Sequence, residues 1–155
     1  MPLDLNLRSE GSVPLTFNEV DNNWTDIENA INDGTHLISH FTVACSDETS
    51  DLSTGTSKIT FRMPYDFILS EVRASVNTAP TGSTIIVDIN ESGSTILSTK
   101  LTIDASEKTS TTAATAAVIS DSSLGDDNEI TVDIDQVGST VAGTGLKLTF
   151  IGAIA

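Results

Sequence analysis

The apolar residues of this chain keep a helical spacing in one stretch only. Between Thr16 and Gly34 they fall at Phe17, Val20, Trp24, Ile27 and Ile31, intervals of 3, 4, 3 and 4 that put all five on one narrow helical seam of the a/d kind. Thr16 and Glu19 have the spacing of a capping box, Pro14 blocks the incoming chain, and Gly34 offers a left-handed exit, so the pattern predicts a helix over 16–34. From there on the period is two. Phe41, Val43 and Cys45 alternate with His40, Thr42 and Ala44, and Ile59, Phe61 and Met63 repeat the pattern after a polar loop over 46–57. Between Phe67 and Thr78 the inward parity switches from Phe67 and Leu69 to Val72, Ala74 and Val76. One extra residue accounts for this and predicts a bulge near Leu69 to Glu71.

Further on, 84–90 and 95–103 read as a hairpin about Glu91-Ser92-Gly93-Ser94, with glycine where positive φ is needed. A polar run over 104–114, a weak strand over 116–120 and an acidic loop around Gly125 follow. In 129–135, Ile130, Val132 and Ile134 point one way and Thr131, Asp133 and Asp135 the other, and Leu146, Leu148 and Phe150 mark a final buried strand. About eight strands, no second helix and a composition that is roughly a quarter Ser and Thr predict a mainly β protein. The expected architecture is an antiparallel β-sandwich, jelly-roll-like, over 35–155, preceded by a coiled-coil-like helix. Ahead of the helix, Leu3, Leu5 and Leu7 alternate with Asp4, Asn6 and Arg8. That is a strand without a hairpin partner, and residues 1–15 are expected to form an extended attachment arm able to add to the sheet edge of another subunit.

Charge narrows the partners. Seven Lys and Arg against 22 Asp and Glu give a net charge of −15, which repels nucleic acid phosphates and anionic membranes and suits a protein held soluble at high local concentration. No Lys or Arg occurs from Ser9 to Ser57, so the helix has no ion-pair support, and about two heptads are marginal alone in water. The seam must dock, on the chain's own sheet or on copies of itself; Phe17, Val20, Trp24, Ile27 and Ile31 are the oligomerisation candidates. A lone Cys45 permits no intrachain disulfide and points to folding in a reducing cytoplasm, and the sequence carries neither an export signal nor a run of membrane-spanning length.

No nucleophile elbow, phosphate-binding glycine loop, HExxH or zinc-binding cysteine pair is present, so the reading is non-enzymatic. The carboxylate pairs Asp133/Asp135 and Asp126/Asp127 read as solvated surface charge in preference to a glycosidase pair. Around the Gly125 bend, Asp121, Asp126, Asp127 and Glu129 supply oxygen ligands in no EF-hand register; calcium is the one cofactor the sequence leaves open. His36 and His40 share a parity and could form a ring on a three-fold axis. The loops 46–57, 104–114 and 121–128 are the contact candidates, and Tyr65, Asp104 and Glu107 are the residues nominated for ligand binding, Tyr65 as the exposed aromatic.

Two regions resemble virion proteins of tailed bacteriophages, particularly cyanobacterial and marine phages. Pro14-Leu15-Thr16-Phe17-Asn18-Glu19-Val20-Asp21-Asn22-Asn23-Trp24 is similar to a short helical segment of tail-fibre and other virion proteins. Phe61-Arg62-Met63-Pro64-Tyr65, Val87 to Gly93, Leu101 to Ala105 and Ile130 to Gly138 resemble, in the same order, a β-rich module of phage structural proteins. The resemblance implies a virion surface protein, often trimeric. The reading built on it and on the seam is a homotrimeric knob or short fibre attached through Leu3, Leu5 and Leu7 to other virion proteins, with host surface polysaccharide as a partner. Capsid decoration is the alternative, and a glycan-degrading enzyme the remote one.

Overall fold

The computed structural model describes residues 17–32 and 39–155, belonging to two units, 1–38 and 39–155. The arm with Leu3, Leu5 and Leu7, the helix flanks Thr16 and Gly34, and His36 lie outside the described residues. In the first unit, α1 (Phe17–Asn32) is a single helix with no basic residue in its last turn. Its start agrees with the predicted position to one residue. Thr25 Oγ1 donates to the Asp21 carbonyl one turn back at 2.9 Å.

The second unit contains β1 (Ser39–Ala44), β2 (Gly55–Arg62), β3 (Phe67–Ser75), β4 (Ile85–Glu91), β5 (Ser94–Thr95), β6 (Leu97–Thr99) and β7 (Leu101–Ile103). After a 3₁₀ turn (Ser110–Thr112) come β8 (Val118–Ile119), β9 (Ser123–Leu124), β10 (Glu129–Gln136) and β11 (Lys147–Ile154). One sheet has the order β1-β11-β3-β9, and the other runs β2-β10-β4, with β5 and β7 pairing opposite ends of β4. All pairs are antiparallel. Taking β5 to β7 as one broken strand and setting aside β8, which pairs only with β6, leaves eight strands. Their orders, first-eighth-third-sixth and second-seventh-fourth-fifth, are those of a jelly roll, two interlocked Greek keys.

Alternation builds the core between the sheets. Leu69, Val72, Leu148 and Phe150 from one sheet and Ile85, Val87, Ile89, Ile130, Val132 and Ile134 from the other are buried. Four phenylalanines join the layers: Phe41 stacks on Phe150 at 4.8 Å and meets Phe61 and Phe67 edge-on at 6.0 and 5.8 Å. The predicted parity switch in β3 is a bulge: register slips between Ile151 and Gly152 opposite Glu71 and Leu69, and the extra residue, Ser70, donates from Oγ to the Ile151 carbonyl at 3.0 Å. At the β4–β5 turn both central residues have positive φ, Ser92 at 48° and Gly93 at 84°, the two-residue hairpin form whose twist matches the strands.

Topology also sorts the loops. Ser39 pairs with Gly152, so the sandwich is entered and left at one end. There, 63–66, 92–93 and 125–128 interlock through Asp127 N–H to the Met63 carbonyl at 2.9 Å, Met63 N–H to the Asn128 carbonyl at 3.0 Å and Ser92 N–H to the Glu129 carbonyl at 2.8 Å. At the far end, 45–54, 76–84, 104–117 and 137–146 meet through Leu52 N–H to Gly143 O at 2.9 Å, Thr81 N–H to Val141 O at 3.0 Å and Ser106 N–H to Pro80 O at 2.7 Å.

Candidate functional site

This sorting separates the residues nominated for ligand binding. Asp104 and Glu107 sit at the far end, where the Asp104 carboxylate accepts from Ala114 N–H at 2.8 Å and Glu107 accepts from the Thr112 hydroxyl, clamping the 104–114 loop on itself. Tyr65 lies at the entry end, half-buried against the core with its ring 6.4 Å from that of Phe67. The expectation of an exposed aromatic platform is therefore corrected: the bend between β2 and β3 lays this side chain against the core, and no single site contains all three residues. The contact loops divide likewise, with 46–57 and 104–114 at the far end and 121–128 at the entry end.

The acidic loop around Gly125 is organised by hydrogen bonds. Glu91 Oε1 accepts from Gly125 N–H at 2.8 Å and from Asn128 Nδ2 at 3.0 Å, while Asp66 accepts from Asp126 N–H at 2.7 Å. Asp121 accepts from Ser123 N–H at 3.2 Å, and the Asp127 carboxylate lies 3.9 Å from Arg62. Asp121, Asp126, Asp127 and Glu129 thus do not converge, and no group of three or more potential metal-ligating side chains forms among the described residues. Within the loop, part of what reads as turn is a strand, β9, held to β3 at Phe67 and Ile68.

Asp133 and Asp135, expected to be solvated, belong to a network on the outer face of the second sheet. Asp133 accepts from Ser57 N–H at 2.6 Å and from Asn90 Nδ2 at 3.1 Å. Lys100 Nζ lies 2.5 Å from Asp135 and 2.9 Å from Asp88, whose side chain is only 8% exposed and whose other oxygen accepts from Thr95 Oγ1 at 2.6 Å and Ile89 N–H at 2.9 Å. Hydrogen bonds to Asp135 and Asp88 raise the Lys100 pKa above the ordinary lysine range. The break between β5 and β7 delivers this lysine. No buried side-chain nitrogen or oxygen is left without a partner among the described residues.

At the far end, the Asp47 carboxylate accepts from Ser50 N–H at 2.7 Å and Thr49 N–H at 2.9 Å, which hold its pKa down at about 2. Hydrogen bonds from Lys147 and Asn77 lower that of Glu48. Cys45 is buried, and desolvation pushes its thiol up to about 12. One feature escaped sequence reading: a groove of about 740 Å³ between β3 residues Ser70, Glu71, Val72 and Arg73 and the segment 110–119, floored by Leu101. The only sequence signal for it was the Thr- and Ala-rich composition of 109–117. None of the nominated ligand residues lines it.

Within its own unit, α1 presents Val20 and Trp24 outward, Trp24 at 64% exposure, with Ile27 half-buried and Asp21 and Glu28 exposed. The side chains of Phe17 and Ile31 lie outside the described residues. No helix among the described residues is long and apolar enough to cross a membrane. Comparison with known proteins finds no matching family model, no similar curated protein and no similar solved structure. The class defined is thus an architectural one, a jelly-roll sandwich whose chain also carries an acidic amphipathic helix.

Proposed function

We propose that the protein is a non-enzymatic structural protein of a phage virion. It forms a homotrimeric knob or short fibre, held to the particle through its N-terminal residues, and contacts host surface glycan with its sandwich. The observation carrying this reading is the helix: an acidic rod that exposes Trp24 and Val20 offers these two side chains to two further copies. Jelly rolls serve in capsid and lectin domains, a fold-level analogy that fits the resemblance above. Within the sandwich, the loops 45–54, 76–84, 104–117 and 137–146 form the end opposite Tyr65 and Ser39. These replace Tyr65 and 121–128 as the glycan-contacting set.

Burial of each indole contributes about 2 kcal/mol by apolar area. Light scattering on the purified full chain should give a three-copy mass, and Trp24→Ala should raise the concentration for half-assembly at least about tenfold. A monomer at micromolar concentration, or a trimer indifferent to the substitution, overturns the seam. Fluorescently labelled protein added to host cells and to bare capsids separates recognition, which labels cells, from capsid decoration, which labels heads stoichiometrically.

A further inference from the structure

The two long sides of the sandwich differ. On the side of β3 and β7, the connection 104–122 wraps across the gap between the sheets. On the other side, β1 and β2 are neighbouring edges, and no described strand pairs with the outer edge of either. Cys45 N–H donates to Leu146 O, which fixes the ladder phase and turns the backbone groups of His40, Thr42 and Ala44 to the open side. By the same reasoning from Met63 N–H to Asn128 O, those of Lys58, Thr60 and Arg62 face outward from β2.

Between these edges the core is unfinished. Phe41, Val43, Ile59 and Phe61 point inward yet remain half-buried, whereas Phe67 and Phe150, which the ring of Phe41 meets, are fully enclosed. Edge strands of natural proteins carry charges, prolines or bulges that deter pairing. β1, Ser-His-Phe-Thr-Val-Ala, has none of these and is six residues of regular alternation. In a chain of net charge −15, β1 and β2 together hold no acid and two bases, Lys58 and Arg62. With Arg62 beside Asp127 and Lys58 free of an acidic partner within ion-pair distance among the described residues, the strip's charge favours the approach of a surface as acidic as this protein's own.

We infer that the β1/β2 side is covered by a second copy of this chain, making it the contact between neighbouring sandwiches; this rests on the homotrimer proposed above. Amide hydrogen exchange on the full chain, run beside light scattering, tests the two separately. The inference expects a trimer in which the amides of His40, Thr42 and Ala44 exchange at least about 100-fold more slowly than loop amides. Thr60→Glu, which places an acid on the strip, should raise the concentration for half-assembly at least about tenfold and release that protection. A trimer whose β1 amides exchange at loop rates overturns this face and leaves the helix seam standing. A protected dimer keeps the face and overturns the trimer. A monomer overturns both, and a trimer insensitive to Thr60→Glu overturns the face.

Discussion

Removing the ammonium of Lys100 tests the electrostatics of the outer sheet face. In Lys100→Met the Asp88 carboxylate, 8% exposed, keeps its hydrogen bonds from Thr95 and Ile89 but loses its only cation. Breaking a fully buried pair costs about 3–5 kcal/mol. Lys100 itself is 44% exposed and Asp135 36%, so solvent screens part of the interaction and the expected loss falls to about 2 kcal/mol. For a chain of this length that lowers Tm by about 4–8 °C. Asp88→Asn in the Lys100→Met background removes the stranded charge while keeping an oxygen for Ile89 and Thr95, and should restore about half or more of the loss. The raised Lys100 pKa also fixes a sign. Its contribution is complete below the unfolded lysine value of about 10.4 and fades only as pH rises through the higher folded value, so the difference from Lys100→Met should be constant between pH ~6 and ~9. Urea unfolding with m-values monitored is the assay. A Lys100→Met loss under about 0.5 kcal/mol, or no recovery in the double variant, would show that water already reaches Asp88 and would refute the argument.

Cys45, buried with its thiol near 12, should resist a disulfide reagent at pH ~8 and react at once in denaturant; prompt reaction of the native protein would contradict its burial. Gly152→Ala places a Cβ 2.1 Å from the Ile68 carbonyl and 2.7 Å from the Phe67 ring, so it should cost about 3 kcal/mol or more in chemical unfolding. Gly93→Ala, strained only by its φ of 84° with open space around it, should cost about 1 kcal/mol; equal losses at the two sites would undo the packing argument. The depressed Asp47 pKa makes its capping contribution complete above the unfolded value of about 3.9 and lost as pH falls through about 2. Carbon-detected NMR titration should find this carboxylate still ionised at pH ~3.

What could be read from the chain was whatever depends on neighbours in sequence. Parity alone placed the bulge within Leu69 to Glu71, where the structure has it at Ser70, because one extra residue inverts every later side chain of β3. Gly93 marked the tight hairpin for a similarly local reason. What depends on distant pairing was hidden. β9 consists of two residues inside a polar loop and exists because the edge of β3 at Phe67 and Ile68 accepts it. The single predicted strand over 95–103 breaks into β5, β6 and β7 because β6 turns aside to pair with β8, and that detour carries Lys100 to Asp88 and Asp135. That Tyr65 lies at the opposite end from Asp104 and Glu107 was hidden for the same reason, since only strand order tells which loops share an end.

Strand order also imposes a sequence of events on synthesis. The Thr42 and Thr149 hydroxyls, 3.0 Å apart across the β1–β11 ladder, are separated by 107 positions. At ribosomal speeds of about 5–20 residues per second, the first strand waits roughly 5 to 20 s before its partner exists. During that interval the ribosome-bound chain holds Phe41 and Val43 on a segment with nowhere native to go. The β1–β11 ladder, unlike the β4–β5 hairpin, can close only once both of these strands have been made.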